Sequence, residues 1–299
     1  MDNKQNHSFY YRKELYIITA KTNMHVGSGE ESYGLVDNQV QRDVLSRLPN
    51  INASGLKGAL REHFSHVWGN NSERITEIFG SDSFVKSEMH RAGKFRFFNG
   101  SLLSLPVRSN VRPFFRAVSP EVIKELMGNL EAFGYDDEFK LKESLEQLSK
   151  LEPVEKQPLI FSRDEGAVLE EFRFKAVTAD KNKFDYSLLK KIEVITGAPL
   201  ALMHDSDFKD MCSNFNLPLI ARNHLENGRS QNLWHEQVVP RETKFYFLLL
   251  KPGNCNYDLE FSPGEPVQIG ANASIGYGFC QVLAAADLLA GAIPVENRS

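Results

Sequence analysis

Residues 25–61, HVGSGEESYGLVDNQVQRDVLSRLPNINASGLKGALR, gather an imidazole, glycines, an acid and a basic run into one short span. Gly27 and Gly29 permit a tight turn whose exposed backbone N–H groups can cradle an anion. His25 stands just before that turn. With an ordinary pKa of ~6.5 it can polarise a phosphate oxygen or shuttle a proton, although a histidine at a strand end also serves simply as a hydrogen-bonded structural residue. Asp37 precedes Asn38, and such a pair in a loop also forms Asx turns. A carboxylate with a pKa of ~3.9 is a poor base at neutral pH, so orienting or binding another group is easier for it than abstracting a proton. Lys57 and Arg61, four apart, share a helix face near an N-terminus, where free N–H groups and the helix dipole already favour a phosphate. The same pair also reads as a solvated basic face.

Two elements must hold these groups. Residues 14–22 (ELYIITAKT) pattern as a strand leading into the span. A helix leaves it, with Ser54 at the N-cap and Leu56, Ala59, Leu60, Phe64, Val67 and Trp68 on one stripe. The polar residues between therefore lie on a loop fixed at both ends, where sites are commonly built. Further along, residues 70–84 (NNSERITEIFGSDSF) read as a polar connection, and residues 94–107 as strands. Residues 120–151 carry two acidic helical stretches, with Val122, Ile123, Leu126, Met127 and Leu130 on one stripe, facing solvent or a protein neighbour. Residues 158–178 pattern as a hairpin turning at Asp164, Glu165 and Gly166. Helices near residues 186–195 and 206–215 precede strands at 217–223, 244–250 and 279–283. Strands mixed with helices in this way suit an α+β sandwich.

The chain has 299 residues, 41% of them apolar, enough for a core of one large domain with insertions or two smaller ones. No apolar run approaches the ~20 residues of a membrane helix, and the polar start lacks the features of a signal peptide, so a cytoplasmic protein is expected. Cys212, Cys255 and Cys280 are odd in number and far apart, which indicates neither a disulfide framework nor a zinc knuckle. A formal net charge of -4 argues against a protein coated in nucleic acid. The charge is uneven, however. Between residues 91 and 116, Arg91, Lys94, Arg96, Arg108, Arg112 and Arg116 occur without a single acid, interleaved with Phe95, Phe97, Phe98, Phe114 and Phe115. That is the pattern of a phosphate-tracking surface with stacking aromatics, or of strands whose phenylalanines face the core. Near the C-terminus, QIGANASIGYGF (residues 268–279) is glycine-rich but has no Walker lysine, which speaks against nucleotide hydrolysis. It suits backbone contact with phosphates, or glycines that merely mark turns.

Several segments together resemble the repeated backbone subunit of type III-B (Cmr) CRISPR effector complexes, a member of the RAMP superfamily. They are GLVDNQVQRD (34–43), INASGLKGALR (51–61), LLSLPVRS (102–109), LWHEQVVPRETKFYF (233–247) and IGANASIGYGFCQV (269–282), in the family's order and approximate spacing. Residues 120–221 carry little of the likeness. The resemblance implies a single RAMP domain over residues 1–299 with a ferredoxin-like (RRM-like) core. Insertions over 119–215 would supply a helical lid and thumb-like hairpin elements.

By the same resemblance, Asp37 matches the aspartate with which family members cut target RNA, through attack of a ribose 2'-hydroxyl on the adjacent phosphorus assisted by Mg2+ or another divalent metal. Asp37 would then be a metal ligand or would orient the hydroxyl. His25 also matches a family histidine and is a second catalytic candidate. Lys57 and Arg108 match guide-gripping positions, Gln41 and Arg42 would touch either RNA strand or the neighbouring subunit, and Ser54, Arg61, Arg112, Gly270, Asn272, Ser274 and Gly276 complete the expected RNA contacts. The family more often has tyrosine where His235 stands, and Glu236 suits an interface or a brace. The implied partners are a CRISPR guide RNA, complementary target RNA, further copies of the chain and other Cmr subunits, with no membrane. A scaffold without catalysis and a guide-processing endonuclease using His25 as base are the alternatives.

Overall fold

The computed structural model describes residues 11–27, 36–81, 91–171, 173–226, 229–262 and 264–292. At its centre lies β1 (Tyr11–Ala20), flanked on either side by the antiparallel strands β13 (Lys244–Pro252) and β15 (Phe279–Ala284). β4 (Gly100–Arg108) runs antiparallel to the far side of β13. Residues 15–20 of β1 are buried without alternation because both faces of this strand are covered. Tyr16 stacks on Phe247 with ring centroids 5.1 Å apart.

From β4 the sheet continues through β5 (Phe114–Val118), β10 (Leu200–Leu202), β6 (Leu159–Ile160) and β9 (Val177–Thr178), and β14 (Val267–Gln268) closes the opposite edge. With β2 (Asn50–Ile51) on β4 and β3 (Arg96–Phe97) on β13, it has eleven strands among the described residues. β10 pairs parallel with β5 and β6 parallel with β9, which makes the sheet mixed. β7 (Val168–Leu169) and β8 (Phe174–Lys175) form a short separate pair. A longer antiparallel ribbon stands apart, built from β11 (Leu219–Glu226) and β12 (Arg229–Gln237).

Helix α1 (Ala53–Trp68) crosses from β2 with Leu56, Leu60 and Phe64 fully buried. Each such side chain contributes roughly 1.5–3 kcal/mol through removal from water. The apolar stripe is narrower than the spacing predicts, because Val67 is exposed. Ser54 is not the cap: the helix begins at Ala53 after Asn52, and Asn99 Oδ1 accepts from the Ala53 N–H at 2.8 Å. The first free donor is thus satisfied from the loop before β4, a partner remote in sequence.

The polar connection at 70–84 holds a helix instead, α2 (Glu73–Phe79), whose Ile75, Ile78 and Phe79 pack inward between polar neighbours that hid the stripe. α3 (Pro120–Ala132) and α4 (Leu141–Ser149) lie where the periodicity places them, and Ser119 Oγ accepts from Val122 N at the α3 cap. α5 (Leu189–Thr196) and α6 (Asp205–Met211) also match, whereas α7 (Ala285–Ala292) was not anticipated. Residues 158–178 are not one hairpin. The turn at 164–166 joins strands that do not pair, since β6 bonds to β10 and β9 while β7 turns back onto β8. Phe95 and Phe115 are buried, Phe97 stacks on Phe79 and Phe98 packs at a tilt against Phe133, so the core reading of these aromatics holds. No helix among the described residues is long and apolar enough to cross a membrane.

Candidate functional site

Residues 36–43 thread past the end of β12 by isolated bridges, Gly27 with Val40 and Asn38 with Glu236. Asp37 is therefore carried on an extended segment braced by two others. Its Oδ2 accepts the backbone N–H of His235 at 2.7 Å, and the His235 ring stands 4.0 Å away at Nδ1. Both side chains are about half exposed, at 50% and 45%. The carboxylate is thus fixed in direction yet open to a ligand.

Beneath it the chemistry is enclosed. His25 is only 6% exposed, and its Nδ1 lies 2.7 Å from Gln237 O. A carbonyl only accepts, so Nδ1 is a protonated donor in this contact. A Cβ at Gly27 would stand 3.0 Å from Nε2, so glycine makes room for the ring. Glu236, 3% exposed, accepts from Arg222 at 2.9 Å through Oε2 and from Asn272 Nδ2 through Oε1, and Oε1 lies 3.7 Å from His25 Nδ1. Buried carboxylates persist when matched this way. The glycine-rich loop joins the cluster from the other side: Ala271 N donates to His25 O at 2.8 Å, and a Cβ on Gly270, at φ +94°, would sit 2.4 Å from that oxygen. Gly270 thus serves close backbone approach, Asn272 reaches inward, and Ser274 and Gly276 remain exposed at the tip. Gly29 lies outside the described residues.

A second concavity of about 510 Å³ opens at the start of α1, lined among others by Ser54, Lys57, Arg91 and Arg96. Arg61 donates to Gly80 O at 3.0 Å and Arg96 to Gly93 O at 2.8 Å, and neither meets a carboxylate among the described residues. Burial, then Arg61 and Arg96, holds the Lys57 ammonium below the ordinary lysine range. Elsewhere the basic run meets acids. Arg108 pairs with Glu170 at 3.0 Å and with Glu171 at 3.1 Å, Arg112 with Asp164, Arg116 with Glu242, and Lys94 with Glu77. Arg42 turns inward, donating to Cys212 O at 2.6 Å and Arg47 O at 2.9 Å, while Gln41 Oε1 accepts from Asn52 N at 2.8 Å. The expected contacts thus divide among three places: the Asp37 loop, the α1 concavity and the paired arginines. Sequence reasoning overlooked Gln237, Asn99 and Arg222. The signal for Gln237 was a polar residue just before the apolar pair Val238–Val239.

Among the described residues no three His, Cys, Asp or Glu side chains group to hold a metal ion. Glu236 has both oxygens committed, so among the described residues at this site Asp37 is the carboxylate left open. Mg2+ is commonly held by one or two carboxylates together with substrate phosphates, and the donor set fits that pattern.

A family model described as the RAMP superfamily matches residues 17–281. The chain is 28% identical over 292 residues to the CRISPR system Cmr endoribonuclease Cmr4 of Pyrococcus furiosus, covering 91% of this chain and 94% of that protein. In fold it is similar to a chain of the type III-B Cmr-beta complex in the apo state, with a TM-score of 0.76, 23% identity and coverage of 94% and 99%. The same complex bound to cognate target RNA gives 0.74 at 21% identity, again over 94% and 99%. Oligomeric Cmr4 from Pyrococcus furiosus gives 0.64 at 21% identity over 92% and 98%. With its model spanning the sheet from β1 to β15 and both loops that build the site, the chain belongs to the RAMP superfamily.

Proposed function

We propose that this protein is a Cmr4-type backbone subunit of a type III-B CRISPR complex, which holds a guide RNA by its backbone and cuts complementary target RNA beside Asp37. The observation that carries this reading is a half-exposed carboxylate held in direction by a backbone N–H, on a loop whose buried side is tied down. The named relatives support it: one is called an endoribonuclease, one structure holds target RNA and another is oligomeric. Copies would associate head to tail, a contact that extends until other subunits cap it. Pairing would read sequence while the protein reads shape, so phosphate contacts at Lys57 and Arg61 dominate guide affinity. Exposed Ser274 and Gly276 would follow the backbone nearby.

The β15–β1–β13–β4 order, all antiparallel with α1 crossing from β1 to β4, supports a ferredoxin-like core of the split βαβ type. On it, residues 119–215 are insertions within one domain. The β11–β12 ribbon suits the thumb better than residues 158–178 do.

In the reaction, the 2'-hydroxyl oxygen bonds to the adjacent phosphorus as the bond to the 5'-oxygen breaks. The hydroxyl proton passes to solvent and the leaving oxygen takes one up. Asp37 orients the attacking ribose, and the His235 N–H keeps its carboxylate in place. Asp37 would be the residue to hold a divalent metal, whose chemistry there would be charge neutralisation. His25 is enclosed and holds the loop; a guide-processing role with His25 as base has no exposed ring to act with. The test is cleavage of labelled complementary RNA by the reconstituted complex with Mg2+. Asp37→Ala is expected to abolish the regularly spaced products with target binding unchanged; undiminished cleavage would leave a scaffold.

A further inference from the structure

We infer that Gln237 is the positioning residue of the cleavage loop, an inference that rests on the assignment of Asp37 as the cleaving carboxylate. Gln237 ends β12 and is fully buried. Its backbone oxygen accepts a hydrogen bond from His25 Nδ1 at 2.7 Å, and its backbone N–H donates to Asn38 O at 2.9 Å. Its side chain continues the same task. Oε1 accepts from Val40 N at 3.3 Å and from Arg42 at 3.4 Å, while Nε2 donates to Asn214 O at 3.2 Å. One residue therefore grips the loop at positions 38, 40 and 42, the alternate residues that face it in an extended segment.

Position 37 comes immediately before the first of these grips, and His235, two residues earlier in β12, supplies the N–H on Asp37 Oδ2. The end of β12 thus acts as a rail: His235 fixes the carboxylate and Gln237 fixes the chain that carries it. Arg42 extends the tie to Cys212 O, so the loop is also anchored to the end of α6. The amide's acceptor holds Val40 and Arg42, the grips on the loop itself, while its donor ties to Asn214 O outside the loop. Removing them leaves buried polar groups without partners and lets the loop drift. A misplacement of about 1 Å at a reacting group costs about 100-fold in rate.

The experiment compares Gln237→Met, which keeps volume and removes the amide, with Gln237→Glu, which keeps the acceptor. Both are placed in the reconstituted complex beside Asp37→Ala. Single-turnover cleavage, target affinity and hydrogen exchange at the Val40 amide are read together. The backbone bonds to His25 and Asn38 survive in every variant. Gln237→Met is expected to cleave about 100-fold more slowly with unchanged target affinity and faster exchange at Val40. Gln237→Glu should restore the slow exchange and most of the rate. Native-rate cleavage by Gln237→Met while Asp37→Ala is silent would overturn the inference alone. A loss no larger than the accompanying loss of assembly or target binding would also overturn it, reducing Gln237 to a folding residue. Undiminished cleavage by Asp37→Ala would overturn the assignment of Asp37 and this inference with it.

Discussion

The start of α1 and the strands β4 and β5 carry basic residues of the same kind at similar density, yet they differ in what surrounds them. Around α1, Lys57, Arg91 and Arg96 line a concavity that has no acid among its described residues, and Arg61 reaches its edge at Gly80 O. On β4, the turn after it and β5, Arg108, Arg112 and Arg116 each meet a carboxylate from a distant segment: Glu170, Asp164 and Glu242. A phosphate approaching the first region adds a missing countercharge, whereas at the second it must compete with one already in place. Charge density along the chain therefore overstates the phosphate-binding surface, and the pairing in three dimensions corrects it.

The largest expected effect breaks the comparison at the unpaired side. Replacing Lys57 and Arg61 together by alanine removes two charges of the first half of α1 that meet no carboxylate among the described residues. Guide RNA affinity at low salt is expected to fall by about 100-fold, with the salt dependence shallower by about two units of slope. Binding titrations at several salt concentrations check both numbers; an unchanged slope would mean that the concavity does not face the phosphates.

The difference between the two regions also marks what could be read in advance. α1, α3 and β13 were legible because their stripes and apolar runs are local properties of the chain. Lys57 and Arg61 were legible as a pair for the same reason, being one turn apart. The acids that meet Arg108, Arg112 and Arg116 lie 62, 52 and 126 residues away, beyond any local pattern. α2 was missed because its three inward residues sit among polar ones typical of loops. Asp37 was singled out through the likeness to a family, and no spacing rule would have joined it to His235, 198 residues later. Gln237 escaped because a polar residue at a strand end looks like any edge residue until its partners are known.

A smaller effect sharpens the comparison with a charge that is neither paired nor exposed. Lys244, at the start of β13, is pushed down to about 8 by burial, then by Arg116 and Lys21, with Glu242 acting in the opposite direction. The folded state disfavours the ammonium, so the unfolded chain holds more protons between pH 8 and the ordinary lysine value of 10.5. Stability from this group therefore rises with pH across that window. Lys244→Met should raise the stability of the subunit at pH 7 by on the order of 1–3 kcal/mol and remove the rise. Urea denaturation at pH 7 and pH 10 decides it: the two proteins should converge at the higher pH.

The smallest effect lies at the paired side, where Arg112→Ala removes a guanidinium 33% exposed from a carboxylate 18% exposed. Solvent screening limits the loss of stability at pH 7 to under about 1 kcal/mol, and guide affinity should change by about twofold or less. The sign of the pH dependence is more telling than its size. Hydrogen bonds from Arg112, then Ser162, hold the Asp164 carboxyl below the usual carboxylate range. Its contribution is present above the unfolded value of ~3.9 and is lost as pH falls through the lower folded value. In Arg112→Ala that contribution is weakened, so the two proteins should differ most near neutrality and approach each other in acid. A fall in guide affinity as large as that from the Lys57 and Arg61 replacements would instead mean that RNA draws Arg112 away from Asp164, and the two basic regions would then act as one surface.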